Sequence, residues 1–286
     1  MPTINWDSAI HYARLVKIAE DVQPAAEYSA QNKTDIQALG YAFLQTLYGN
    51  ELATEVSPHA GETVTYGFLA VSATKELVAI VRGTDTILEW IHDAAFLMLP
   101  NPIHDSAGMT EDGFTAIYKS LRTDRKPQST SAMASIGAYV HAGQARTVTV
   151  AGHSLGGALA TLLTLDVALN TECRQPVIYT YASPRTGDHL FAGSFNAAVA
   201  ESYRIYNRSD LVPCLPPFLP LPYEHTNTGV ELVAPMNAIE DDLGCEHHLT
   251  TYLWLMDRMR GGQSYPVDAD CRGKAYPGPL ATSSGA

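Results

Sequence analysis

The hexapeptide Gly152-His153-Ser154-Leu155-Gly156-Gly157 follows the β-rich run Thr147-Val148-Thr149-Val150-Ala151 and opens an apolar helical stretch, Leu155 to Leu169. A serine on such a strand-to-helix turn is a candidate nucleophile, because the turn lifts its hydroxyl out of the sheet beside a helix N-terminus. The turn is so tight that the positions two before and two after the serine must lack side chains. A bare G-x-S-x-G arises by chance in roughly one chain in ten of this length, so the flanking strand, the helix and the third glycine single out Ser154. His153 is expected to pack under the turn rather than to react. The backbone N–H of Leu155 is a natural donor to the oxyanion of a tetrahedral intermediate.

A serine hydroxyl is a weak nucleophile until an imidazole takes its proton and a carboxylate holds that imidazole. In this turn geometry the chain order is Ser, Asp, His. Asp166 falls inside a helical stretch, Asp188 starts another, and Asp241 and Asp242 run with Glu240 as an exposed charge cluster. Asp210 lies just beyond the predicted strand Ser202 to Tyr206. Four histidines follow the serine: His189, His225, His247 and His248. His189 precedes Asp210 and breaks the order. Adjacent His247 and His248 cannot both face one serine from a helix start.

The elements that must position these groups alternate. Leu15, Ile18, Ala19, Val22, Ile36, Leu39, Phe43 and Leu47 recur at helical spacing, which predicts N-terminal helices over about 8–50. Val64 to Val71 and Leu77 to Val81 read as a hairpin. Beyond it come helix Gly113 to Leu121, helix Ala132 to Ala142, strand Thr147 to Ala151, helix Leu155 to Leu169, strand Val177 to Tyr181, a helix near Asp188 to Ala200 and strand Ser202 to Tyr206. Pro213 to Pro222 can only be surface loop. Helix His248 to Arg260 ends at Gly261-Gly262, and the tail from about 263 to 286 reads as irregular unless Cys271 ties it down. Such alternation implies an α/β sandwich in a single domain over 1–286.

With the elements in view, the sequence resembles the class 3, fungal-type triacylglycerol lipases. Val78 to Trp90 (VAIVRGTDTILEW), GHSLGG, Tyr179 to Gly187 (YTYASPRTG) and Tyr203 to Pro213 (YRIYNRSDLVP) agree with that family in order, over about residues 60 to 260. The resemblance implies an α/β-hydrolase fold, with a mostly parallel central sheet, helices on both faces and a helical lid. It also implies hydrolysis of carboxylic esters of lipids by a serine triad, without metal or organic cofactor. Asp210 stands where the family has its triad acid, and His225 looks like a structural histidine. H-x-L-x-x-Y relatives point to His247 and H-L-x-Y relatives to His248; the spacing to Tyr252 favours His247. Thr84, after Arg82-Gly83, matches the family's second oxyanion donor. Arg82 and Arg185 are read as scaffold-bracing ion pairs.

Ile87, Trp90, Ile91 and Ala94 share a helical face directly after Thr84, and the resemblance makes that face a lid centred on Trp90. Leu211 to Leu221 (LVPCLPPFLPL) offers an apolar wall beside Asp210 for an acyl chain. Eighteen Lys and Arg against 30 Asp and Glu give a net charge of −12, which excludes nucleic acid as a partner and favours neutral lipid esters, at an oil-water interface, over anionic phospholipids. Feruloyl esterase and phospholipase A1 are the alternative activities on the same scaffold. A catalytically silent binding module would be missing part of this set, and none is missing.

No run reaches the ~18 apolar residues of a membrane span. Met1 to Ile10 lacks a secretory signal, so the compartment stays open between a secreted mature form and the cytoplasm, and a monomer is the simplest expectation. Four cysteines with no C-x-x-C pair exclude a zinc knuckle. Cys214 and Cys245 flank the acid and the base, which predicts a disulfide between them and leaves Cys173 and Cys271 paired through the tail or free.

Overall fold

Leu77, Ala79 and Val81 pack into one apolar cluster and their neighbours Val78 and Ile80 into another, all five fully buried. A strand apolar on both faces must lie between two layers. In a computed structural model, which describes residues 3–51, 61–84, 96–104, 106–218 and 221–277, that strand sits inside such a sandwich. The strands in chain order are β1 (Tyr41–Asn50), β2 (Thr63–Ser72), β3 (Glu76–Val81), β4 (Met98–Pro100), β5 (Met109–Glu111), β6 (Thr147–His153), β7 (Val177–Tyr181), β8 (Gly187–Asp188), β9 (Glu201–Asn207), β10 (Tyr223–Glu224) and β11 (Val230–Leu232).

Among the described residues the main sheet runs β1-β2-β3-β6-β7-β9-β11. It is antiparallel through β1, β2 and β3, then parallel from β3 to β11. Short β10, β8, β5 and β4 form a second, antiparallel sheet. Helices Asp112–Ser120, Ala132–His141, Leu155–Asn170 and His189–Ala198 supply the first apolar cluster, and Trp6–Glu20 with Leu249–Met259 the second. Every residue from Leu155 to Leu165 is buried, as expected of a helix apolar all round. The mostly parallel sheet with helices on both faces is the predicted architecture.

One prediction is corrected. Residues 41–50 form β1, not the end of a helical region. Gly40, at φ 93°, stops the helix Ala30–Ala38. Register shifts in the β1–β2 pairing between Phe43 and Gln45 and between Leu47 and Tyr48 break the period-two alternation, so the strand mimics helical spacing. Within the tail, residues 263–277 are described, and Cys271 does tie them down.

The disulfide pairing is corrected too. Cys245 joins Cys271, with Cα atoms 5.1 Å apart, while Cys214 is exposed and Cys173 buried, both as thiols. The tail folds back along 237–240, where Glu240 N donates to Cys271 O at 3.0 Å and Gly273 N to Ala238 O at 3.0 Å. That pairing carries Cys271 to the helix Leu243–His247. Closing a loop across 26 positions should contribute about 3 to 4 kcal/mol by chain entropy, so Cys271→Ser is expected to lower unfolding free energy by about that amount in a denaturant melt. Non-reducing alkylation should find two thiols, with Cys214 reacting in the native state and Cys173 only after unfolding.

Candidate active site

β6 ends in a turn that only glycine-flanked serine can make. Ser154 sits at φ 58°, ψ −130°, directly before the helix Leu155–Asn170, a conformation costing about 1–3 kcal/mol. The glycines answer to specific neighbours. A Cβ on Gly152 would lie 2.1 Å from Gly156 O, one on Gly156 2.4 Å from Val81 O, and one on Gly157 2.7 Å from the Ser183 side chain. Ser154 N donates to Tyr181 O at 2.9 Å, which moors the turn to β7.

β9 delivers the acid. Asp210 is 2% exposed, and its carboxylate collects donors from three directions: Val212 N at 2.9 Å on Oδ1, and His247 Nδ1 at 2.8 Å and Tyr252 OH at 2.7 Å on Oδ2. Because the carboxylate only accepts, His247 carries its proton on Nδ1 and turns a bare Nε2 into the cavity. Among the described residues neither His247 Nε2 nor Ser154 Oγ, both buried, has a hydrogen-bond partner, and both residues line the same cavity of about 340 Å³. Buried polar atoms are rarely left unmatched, and of those in the described residues only these two belong to residues that line this cavity. Burial lowers the His247 pKa and neighbouring His153 adds to that effect, against the pull of Asp210.

The adjacent histidines differ in position. His248 is the half-exposed N-cap of the helix Leu249–Met259, with Nδ1 3.3 Å from Asp268 Oδ2. His247 ends the short helix Leu243–His247, which Asp242 caps by accepting from Gly244 N at 2.9 Å and Cys245 N at 3.2 Å. Asp242 thus has a structural task that the reading of it as an exposed charge missed. His153 lies beneath the turn, as expected, but its surroundings are more than packing. Its Nδ1 is 2.7 Å from Glu20 Oε1, its Nε2 is 2.8 Å from His247 O, and its ring centroid is 4.7 Å from that of His247.

Thr84 and Gly83 line the cavity beside Ser154, and the Leu155 N–H begins the helix behind it. Trp90 and Ile91 lie outside the described residues. Arg82 donates to the carbonyls of Gly83 and Val22, each at 2.9 Å. Arg185 braces the loop after Asp210 through the carbonyls of Cys214 and Pro216, so its role is scaffolding, although its partners are carbonyls rather than a carboxylate. His225 holds Pro213 O at 2.6 Å, and burial pushes its pKa down to about 3, which suits a structural histidine. Asp188 caps its helix at Phe191 N, 2.8 Å. Among the described residues, no group of His, Cys, Asp and Glu is arranged to hold a metal ion, and no helix is long and apolar enough to cross a membrane.

Sequence reasoning missed Glu20 and the Tyr252 hydroxyl. Tyr252 served only as a spacing marker, yet its OH also accepts from Asn207 N at 2.9 Å. Glu20 gave no signal, since it reads as the polar end of an amphipathic helix 133 positions before its partner.

Residues 78–219 match the family model for lipase (class 3). The chain is 30% identical over 222 residues to phospholipase A1-II 6 of rice, covering 68% of this chain and 54% of that one. It is 31% identical over 177 residues to secreted mono- and diacylglycerol lipase A of Penicillium cyclopium, covering 62% and 54%. It spans about half the length of the curated relatives it matches. The nonglycosylated Lip2 lipase of Yarrowia lipolytica superposes with a TM-score of 0.62 at 20% identity, over 85% of this chain and 84% of that one, which shows a shared α/β-hydrolase fold. Fold, elbow and family model agree: residues 78–219 of this chain are class 3 lipase sequence.

Proposed function

We propose that this chain hydrolyses carboxylic esters of neutral lipids through an acyl-enzyme on Ser154. The observation that carries the reading is the pair of unmatched buried atoms, Ser154 Oγ and His247 Nε2, facing one cavity with Asp210 behind the imidazole. Ser154 Oγ attacks the ester carbonyl carbon while His247 Nε2 takes its proton. The oxyanion is received by Leu155 N–H and Thr84. Collapse breaks the bond to the alcohol oxygen, which leaves with the proton from His247. Water then repeats the sequence on the acyl-enzyme and frees the acid. Asp210 holds the tautomer and stabilises the imidazolium without taking the proton.

Charge supports an uncharged substrate. Carboxylates of Glu20, Asp21 and Asp268 border the cavity with Lys17, and the whole chain carries −12. An anionic head group would be repelled there. The Leu211–Phe218 loop, with Leu211 and Phe218 exposed, supports an apolar acyl wall beside the acid. Phospholipase A1 activity is the second reading, favoured by the rice relative's name. Secretion belongs to the proposal, since a disulfide persists in oxidising compartments and the Penicillium relative is a secreted protein.

Ser154→Ala and His247→Ala are each expected to lower kcat by about 10⁴ to 10⁶, and His248→Ala by less than about tenfold, on p-nitrophenyl esters of graded chain length. A phosphonate inhibitor should add once, at Ser154; an adduct elsewhere would defeat the proposal. Since only neutral His247 accepts the proton and its pKa is lowered, kcat/KM should rise with pH through an acid limb below the ordinary imidazole value of about 6.5.

Tyr252→Phe strands the buried Asn207 N–H and takes one donor from Asp210. It should cost about 1–3 kcal/mol in a thermal melt and also lower kcat.

A further inference from the structure

His153 has an acceptor on each ring nitrogen. Glu20 Oε1 faces Nδ1 at 2.7 Å and the His247 carbonyl faces Nε2 at 2.8 Å. A neutral imidazole has one N–H, so satisfying both acceptors requires the doubly protonated ring. The ring is almost wholly buried, where an unpaired charge would be costly, and the Glu20 carboxylate is the partner that compensates it. We propose that Glu20 and His153 form a second carboxylate–imidazolium pair behind the triad, which positions His247 through its backbone carbonyl and holds a fixed positive charge against its ring.

The proposal deepens the ester-hydrolase reading and rests on it, since it assigns His153 and Glu20 as positioning residues for the base. The groups facing His153 come from each packed element. Glu20 and, behind it, Lys17 belong to the N-terminal helix, His247 and the Tyr252 ring to the C-terminal helices, and Asp210 to the segment after β9. Burial works against both charges of the pair. Mutual attraction overrides it, so His153 is held above the ordinary imidazole value and Glu20 below the ordinary carboxylate value.

For His247 the cation outweighs its partner carboxylate, since the His153 ring lowers the His247 pKa by more than Glu20 raises it. A cation whose ring centroid lies 4.7 Å away makes a second imidazolium harder to form, so the base stays neutral and competent to lower pH. The contact to His247 O restrains the last residue of a short helix, where the base would otherwise share the freedom of a helix end. This is a catalytic restraint delivered from residue 20, far from the nucleophile in sequence.

Two measurements test it. In ¹⁵N-histidine-labelled protein at pH 8, His153, identified by its loss in His153→Gln, should show two protonated ring nitrogens. A single-tautomer neutral pattern would overturn the proposal, and this readout needs no activity. Second, His153→Gln removes the cation and leaves the Glu20 carboxylate, and both changes favour protonated His247. The acid limb of kcat/KM should therefore move up by about one pH unit. An acid limb that stays in place while kcat falls would assign His153 to packing alone. Failure of Ser154 to take a phosphonate would instead defeat the hydrolase reading, and the ring-nitrogen result would still decide the pair.

Discussion

A carboxylate buried as deeply as that of Asp210 has no water to solvate it, and much of the site follows from what replaces the water. Transfer of an ionised carboxylate into the interior is prohibitive unless donors surround it. Val212 N, Tyr252 OH and His247 Nδ1 are those donors, from a turn and two helices. Each donor is itself constrained: Tyr252 OH also takes Asn207 N, and Asn207 Nδ2 reaches Glu246 Oε2 at 2.7 Å. The imidazole is thus oriented as one member of a hydrogen-bond set that must be complete for the fold to tolerate the charge.

The segment carrying that imidazole is short and held from several sides. Asp242 caps its start, the Cys245–Cys271 disulfide ties it to the folded-back tail, and Glu246 anchors to Asn207 at the end of β9. A five-residue helix has too few internal hydrogen bonds to be stable alone. Here tertiary contacts fix it, and the cost of ordering the base is met before substrate arrives.

Legibility in the sequence followed the range of the interaction. The elbow was legible because its constraint is local: glycines at Gly152, Gly156 and Gly157 are required by atoms within a few residues or on the adjoining strands. Parallel strands from β3 to β9 and their helices were legible from apolar runs. β1 was not, because its bulges imitate helical spacing, nor was the disulfide, because proximity of Cys214 and Cys245 to triad residues says nothing of where the tail returns. The relatives' tyrosine spacing favoured His247 over His248, and the Tyr252 bond to Asp210 gives that spacing a physical basis. Glu20 was illegible, since nothing local distinguishes it from any solvated glutamate at a helix end.

Its position there is unfavourable by local rules. Glu20 is the last residue of the helix Trp6–Glu20, where the negative end of the macrodipole repels a carboxylate by about 0.3–1 kcal/mol, and Lys17 in the same turn is the charge such an end prefers. Asp21 follows it and pairs with Lys17, which leaves Glu20 to His153. A residue that opposes its own helix but matches a buried imidazole at the end of β6 has its placement decided by the tertiary site. The N-terminal helix is therefore tied to the nucleophile's neighbourhood by charge as well as by the apolar face that Ala9, Ala13 and Val16 bury. Any change that shifts this helix along its axis moves a carboxylate relative to the ring beside the base, so packing of the N-terminal layer and electrostatics of the site are one problem.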